Sequence, residues 1–259
     1  MKEFLKGFTQ YDDLLKLLVR RDVVLKYRRS FMGYLWSILN PLLVMLVMVA
    51  VFNTMFRFNV DNYPIYLLTG QMLFSLFSEA TSQALNSITG SAVLMKKTNV
   101  PKYIFTISRV TSSLVTLLFS LGALIVVLLL TRTHVTWIAL LFPLVILQEF
   151  VFCIGVGLFF AAASVYFRDM QHIWSVVLTA WMYLTPIFYP VDQIPQVLAR
   201  WIWVLNPINS YIMQFRSLLL QGMVTDQATI LIGIAHAVLA LCLGVYTFSK
   251  GQNNFILYV

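Results

Sequence analysis

Charge is what this chain has least of. Only 11% of its 259 residues are charged, while 60% are hydrophobic; a soluble domain carries roughly 25% charged residues. A soluble globular protein is thereby excluded. Cysteine occurs twice, as Cys153 and Cys242, each inside an apolar stretch. That excludes a disulfide framework and any cysteine-based metal spacing. The three histidines, His134, His172 and His236, lie far apart. No glycine is followed by lysine, so no phosphate-cradling P-loop exists. Neither HExxH nor GxSxG nor a paired-carboxylate motif is present. The chain is not an enzyme on its own: a polytopic membrane protein with no recognisable catalytic residue, metal site or cofactor motif.

What it does have is a cationic start. Lys2, Lys6, Lys16, Arg20, Arg21, Lys26, Arg28 and Arg29 fall within the first 29 positions. The formal charge of +8 points to anionic lipid headgroups and not to nucleic acid, because the cations are concentrated beside apolar segments. The first apolar run follows this long charged arm and is of full spanning length, so no cleavable signal peptide is read.

The hydropathy pattern predicts six spanning helices, at about 35–56, 64–88, 109–130, 137–164, 172–190 and 227–248. Fourteen of the 18 cations then fall on one side, including Lys96, Lys97, Lys102, Arg109, Arg168 and Lys250, which orients both termini to the cytoplasm of a multi-pass inner-membrane protein. The expected organisation is a cytoplasmic arm over 1–34, a six-helix transmembrane domain over 35–250 and a cytoplasmic tail over 251–259. The second span is apolar only in its first half. Its second half, Ser78 to Ser87, is a polar stripe that has to face other helices or water.

Three segments are more than connections. Residues 12–29 read as an amphipathic interface helix, with Leu14, Leu17, Leu18, Val24 and Leu25 on one face. Residues 89–108 form a cytoplasmic loop in which Gly90 and Pro101 bracket room for a short helix. Residues 191–226 are too apolar for a solvated loop and too broken by proline for one span; short re-entrant helices at the outer leaflet fit. No internal repeat is found.

Each candidate residue carries a structural reading beside a functional one. Glu79 and Glu149 sit inside spans; each is either a functional acid or a carboxyl hydrogen-bonded to a neighbouring helix. Phe52, Phe56, Phe74, Phe77, Tyr183 and Tyr189 lie towards the outer half of their spans. With Glu79 they are the candidates for lining a conduit, where ring faces suit sugars, or else they are packing. Trp137 and Trp203 fit an interfacial belt. The small residues Gly155, Gly157, Ala161, Ala162, Ala163 and Ser164 indicate close helix approach. Arg168 and Asp169 are either a local pair fixing a turn or a gate contact. As an exposed pair they contribute only ~0–1 kcal/mol.

Together the motifs resemble a known family. The run from Arg20 to Pro41, with Tyr27-Arg28-Arg29-Ser30-Phe31-Met32-Gly33-Tyr34-Leu35-Trp36 at its centre, is similar to the start of ABC-2-type permeases that export O-antigen, capsule polysaccharide or teichoic acid. Lys96-Lys97-Thr98-Asn99-Val100-Pro101, Phe167-Arg168-Asp169, Thr185-Pro186-Ile187-Phe188-Tyr189-Pro190 and Leu205-Asn206-Pro207 follow in the family's order. Val100 is a departure, standing where an aromatic residue more often precedes the proline. The resemblance covers about 12–250. It implies a homodimeric permease served by two copies of a separate P-loop ATPase, with ATP and Mg held on that partner and no cofactor on this chain. It implies a lipid-linked glycan as substrate, membrane lipids as surroundings and no nucleic acid. Lys16, Arg20, Val93, Leu94, Lys96, Lys97, Asn99 and Pro101 become the ATPase-coupling candidates. Tyr27, Arg28, Arg29, Arg168 and Asp169 become the cytoplasmic gate candidates, and 191–206 the external gate helices. The competing expectations are an ABC-2 permease for a drug or small lipid, and a stand-alone ion-driven carrier.

Overall fold

A computed structural model describes residues 11–28, 32–55, 60, 62–98, 100–252 and 254–258, the side chains at 53–55, 256 and 257 excepted. Among the described residues all regular structure is helical. In chain order the helices are α1 Asp12–Tyr27, α2 Trp36–Met55, α3 Tyr63–Leu85, α4 Ala92–Lys97, α5 Tyr103–Thr131, α6 Phe142–Tyr166, α7 Met170–Leu184, α8 Gln196–Leu205, α9 Pro207–Arg216, α10 Gln227–Gly251 and α11 Phe255–Tyr258. Four helices among the described residues are long and apolar enough to cross a membrane: Gly33–Phe52, Tyr103–Thr131, Trp137–Tyr166 and Gln227–Gly251. The other two expected spans correspond to α3, whose second half is polar, and α7, which has only 15 residues.

Local chemistry explains several of these boundaries. Helix α2 continues through Pro41, which cannot donate to the carbonyl of Ser37 four residues back. The hydroxyl of Ser120 on α5 donates to that carbonyl at 3.1 Å, so the proline leaves no orphan acceptor. Helix α7 stops at Leu184, short of the expected 190, because Thr185 precedes Pro186 and takes the extended conformation that proline imposes on its predecessor. Helix α9 starts at Pro207 under an Asn206 side chain that accepts from the Asn209 amide at 3.3 Å. Asp226 caps α10 through the Thr229 amide and hydroxyl, and those bonds hold its carboxylate below the usual range.

The polar half of α3 faces neighbouring helices, as expected. Thr81 accepts from the Trp174 indole at 3.0 Å, Ser87 meets Thr106 at 2.8 Å, and the Leu85 carbonyl accepts from Ser164 at 2.7 Å. Helices α6 and α10 cross at glycine, where the Gly155 backbone lies directly against Gly244. Gly157 lets α6 approach Ala84 and Val110. The small-residue stretch is thus a packing surface.

Two apolar clusters divide the interior. The larger contains Phe77, ringed by Phe152, Trp174 and Trp181 at centroid distances of 5.6, 6.0 and 5.2 Å. The smaller gathers Leu18 of α1, Met95 of α4, and the adjoining ends of α5, α6 and α10 with Phe255. It places α1 and α4 at the same end of the bundle.

Candidate functional site

Helix α1 lies against the bundle on a face that differs from the one its apolar pattern suggested. Leu18, Asp22, Val23 and Tyr27 are its buried residues, whereas Leu17 and Leu25 are each 64% exposed. The reason is polar. Asp22 turns inward to a 3.3 Å ion pair with Arg109 of α5, braced by Arg21 at 2.8 Å. One turn later Lys26 reaches Glu79 of α3 at 2.7 Å and Thr116 of α5 at 3.4 Å. Gln83 donates to the same Glu79 oxygen at 2.8 Å. Two cross-helix ion pairs therefore tie α1 to α3 and α5. Burial of Asp22 makes its pair with Arg109 a stiffer link than a surface pair, while Lys26–Glu79 is the more exposed of the two.

On the opposite side α1 exposes Lys16, Leu17, Arg20 and Arg28. Helix α4 exposes Val93, Leu94, Lys96 and Lys97, while Met95 is buried and Pro101 half-buried. The chain after α10 folds back beneath it: Lys102 donates to the Gln252 carbonyl and sits 5.8 Å from the Phe255 ring centroid. Burial there pulls the Lys102 ammonium below its ordinary range. The coupling candidates described as exposed, Lys16 and Arg20 on α1 and Val93, Leu94, Lys96 and Lys97 on α4, thus lie on two helices that pack into the same apolar cluster.

Of the gate candidates, Tyr27 is buried, its ring 5.0 Å from that of Tyr34, which in turn lies 5.5 Å from Phe119. Arg28, Arg168 and Asp169 are exposed. No ion pair joins Arg168 to Asp169 among the described residues. The turn is instead closed by the Met170 amide donating to the Phe167 carbonyl at 3.1 Å, so the local-pair reading is corrected. Arg29, Phe56 and Asn99 lie outside the described residues.

The conduit candidates separate into two groups. Phe74 and Phe77 are buried inside the bundle core. Phe52 stacks on Phe188 at 5.6 Å, Tyr183 lies 6.1 Å from the same ring, and the Tyr189 hydroxyl donates to the Tyr183 carbonyl at 2.7 Å. These form an aromatic group around the end of α7. Glu79 is ion-paired towards α1, which satisfies the hydrogen-bonded reading. Glu149 is fully buried with neither carboxyl oxygen hydrogen-bonded among the described residues, which overturns that reading for it.

Three features escaped the sequence reading. On α7, His172, Ser175, Thr179 and Tyr183 form an exposed polar stripe at three- and four-residue spacing. Polar periodicity within span five is the signal that reveals it. Arg216 donates to the Pro186 carbonyl at 2.8 Å, to that of Ile187 at 3.1 Å and twice to that of Tyr66, and it stacks 3.4 Å from the Tyr66 ring centroid. Asn206 joins Trp181 and Thr185 of the α7 exit, at 3.0 and 2.8 Å. Together Arg216 and Asn206 fasten the α8–α9 hairpin to α3 and α7. Among the described residues no group of three or more His, Cys, Asp or Glu could hold a metal ion.

Comparison with known proteins places this geometry in context. The model of the ABC-2 type transporter family matches residues 13–220. The O-antigen export system permease protein RfbA of Myxococcus xanthus is 31% identical over 256 residues, covering 98% of each chain. RfbA of Klebsiella pneumoniae is 28% identical over 245 residues, 94% of this chain and 93% of the relative. The capsule polysaccharide export inner-membrane protein CtrC of Neisseria meningitidis is 26% identical over 215 residues, 80% of this chain and 79% of the relative.

Proposed function

The chain belongs to the ABC-2 type transporter family, and on that premise we propose that it is the membrane-spanning permease subunit of an ABC transporter that exports a lipid-linked polysaccharide of the O-antigen or capsule type across the cytoplasmic membrane. The observation that carries this reading is end-to-end similarity to O-antigen export permeases in a chain with no P-loop. ATP is hydrolysed by a separate subunit. The working assembly is two permeases with two ATPases, six spans per permease and both termini cytoplasmic.

In this reading the exposed faces of α1 and α4 receive the ATPase. Its ATP-bound and ATP-free forms favour different permease arrangements, and a shift in α1 passes to α3 and α5 through Asp22–Arg109 and Lys26–Glu79. The stripe on α7 and the aromatic group at its end line the route between the two permeases, and the α8–α9 hairpin closes its external mouth. Hydroxyls and ring faces along that route suit a sugar chain that must pass without binding tightly.

Native mass spectrometry of the complex, isolated through a tag on this chain, is expected to give two permeases with two P-loop ATPases and a bound lipid-linked glycan. Transport by the permease alone would overturn the reading in favour of an ion-driven carrier. ATP-dependent movement of a small drug or lipid but no glycan would favour the other ABC-2 reading.

The ion pair makes a sharper prediction. Lys26→Glu sets two like charges at the α1–α3 contact, where repulsion at about 4 Å reaches ~4 kcal/mol for an effective dielectric of about 20. Side-chain displacement relieves part of this, and a residual ~1.4 kcal/mol in coupling lowers export about tenfold. Glu79→Lys is expected to do the same, and the double exchange to recover most of the export rate in inverted vesicles. Additive losses in the double variant would refute direct coupling through this pair.

A further inference from the structure

Between α1, α2, α3 and α5 lies a cavity of about 350 Å³, within the roughly 300–1,000 Å³ of small-molecule sites. The route described above does not use it. Its walls carry an unusual share of hydrogen-bonding groups for the interior of a membrane bundle. Lys26 and Glu79 lie at 2.7 Å from each other on one wall. The Oε1 atom of Gln71 is buried without a hydrogen-bond partner among the described residues. Asn40 and Ser75 are exposed and line the cavity, and their side chains form no hydrogen bond among the described residues. Trp36, 43% exposed, is among the lining residues.

These groups select a class of ligand. A carboxylate beside an ammonium presents an acceptor and a donor a few ångströms apart, which matches two neighbouring hydroxyls on a ring. The amides of Gln71 and Asn40 offer the same pairing, and an indole face packs against ring C–H groups. An anion is disfavoured because Glu79 neutralises Lys26. An acyl chain is disfavoured because it would leave the Gln71 carbonyl unpaired. We propose that this cavity binds one neutral sugar residue of the exported glycan. The proposal rests on the export reading above and adds a binding site to it: the sugar is held beside the same ion pair that links α1 to α3, so occupancy and coupling share two residues.

Saturation-transfer NMR on the intact permease–ATPase complex in nanodiscs, with methyl glycosides of hexoses and N-acetylhexosamines as probes, tests this. Ring protons of at least one glycoside are expected to receive saturation. Gln71→Leu should weaken apparent affinity about fivefold, the loss of one hydrogen bond, and Ser75→Phe should abolish the signal by filling the space. If Ser75→Phe does not fold, Asn40→Leu on the exposed side of α2 replaces it, with the same reduction expected. Absence of saturation transfer to every glycoside overturns the proposal, as does transfer that the variants leave intact. So does finding a phospholipid retained in the wild-type complex and lost from Gln71→Leu. ATP-driven export of the host's glycan is measured on the same preparations. Export without glycoside binding sinks only the cavity assignment, whereas absence of export in the wild-type complex sinks the transporter reading itself.

Discussion

Gly244→Val is expected to abolish the folded bundle. A β-carbon at Gly244 would sit 2.0 Å from the Gly155 carbonyl oxygen, and one at Gly155 would sit 2.3 Å from the Ala240 backbone. Both obstacles are main chain, so no rotamer change relieves them. Overpacking costs ~1–3 kcal/mol when side chains can yield; here two 25-residue helices must separate, and the contacts along the whole α6–α10 seam weaken together. Size-exclusion profiles and thermal unfolding in detergent should show aggregated or unfolded protein for Gly244→Val and a large Tm loss for Gly244→Ala. Gly90→Ala is the control, since nothing lies within 4 Å of its β-carbon. A monodisperse Gly244→Val with native Tm would show that the helices do not meet there.

The second large effect is expected at Arg216. Its guanidinium bonds the Pro186 and Ile187 carbonyls, which the break after α7 leaves inside the protein, and adds to the Tyr66 carbonyl in the first turn of α3. No carboxylate pairs with it among the described residues; carbonyl dipoles and the Tyr66 ring balance its charge. Arg216→Met strands the Ile187 carbonyl at ~1–3 kcal/mol and leaves the Pro186 carbonyl with only the 3.3 Å bond from the Tyr66 hydroxyl, while the Tyr66 carbonyl keeps its bond from Thr69, so a loss of a few kcal/mol follows. Arg216→Lys retains the charge without the planar fork and should lie between. Gly70→Ala provides an independent check, because its β-carbon would fall 2.7 Å from the Arg216 Nη2 atom and push the guanidinium from its seat. Thermal unfolding ranks these variants. Cysteine crosslinking between α8 and α3 reports whether the hairpin has come loose. Wild-type stability for Arg216→Met would mean that the guanidinium bonds contribute nothing.

Much of the fold is legible in the sequence because the membrane imposes simple rules. Apolar runs of spanning length mark the long helices, and Thr185-Pro186 marks a break, though the hydropathy pattern carried span five past it to 190. What stayed hidden depends on distant pairs. Lys26 and Glu79 are 53 positions apart and Asp22 and Arg109 further still, and no local period reveals that they meet. The same pairs explain the misjudged face of α1: periodicity groups Leu17 with Leu25, but a buried Asp22 decides which way the helix turns. Arg216 was unreadable for a related reason, since its acceptors are backbone carbonyls, which every residue has. Glu149, buried without a hydrogen bond among the described residues, remains a feature for which the structure supplies no partner.

The brevity of α7 has a consequence for the barrier itself. Fifteen residues of helix measure about 22 Å at ~1.5 Å per residue, against a hydrocarbon layer of ~30 Å. Beyond Leu184 the backbone is non-helical, and its carbonyls at Pro186, Ile187, Phe188 and Tyr189 accept from the side chains of Arg216, Tyr63 and Tyr66 instead of from helix amides. In the six-span reading proposed above, electrical insulation beside α7 is therefore thinner than elsewhere around the bundle. In that reading resistance to proton leak depends on how tightly α8 and α9 cover the end of α7, and bilayers thinned to match α7 are expected to admit the protein more readily than thick, sterol-stiffened ones.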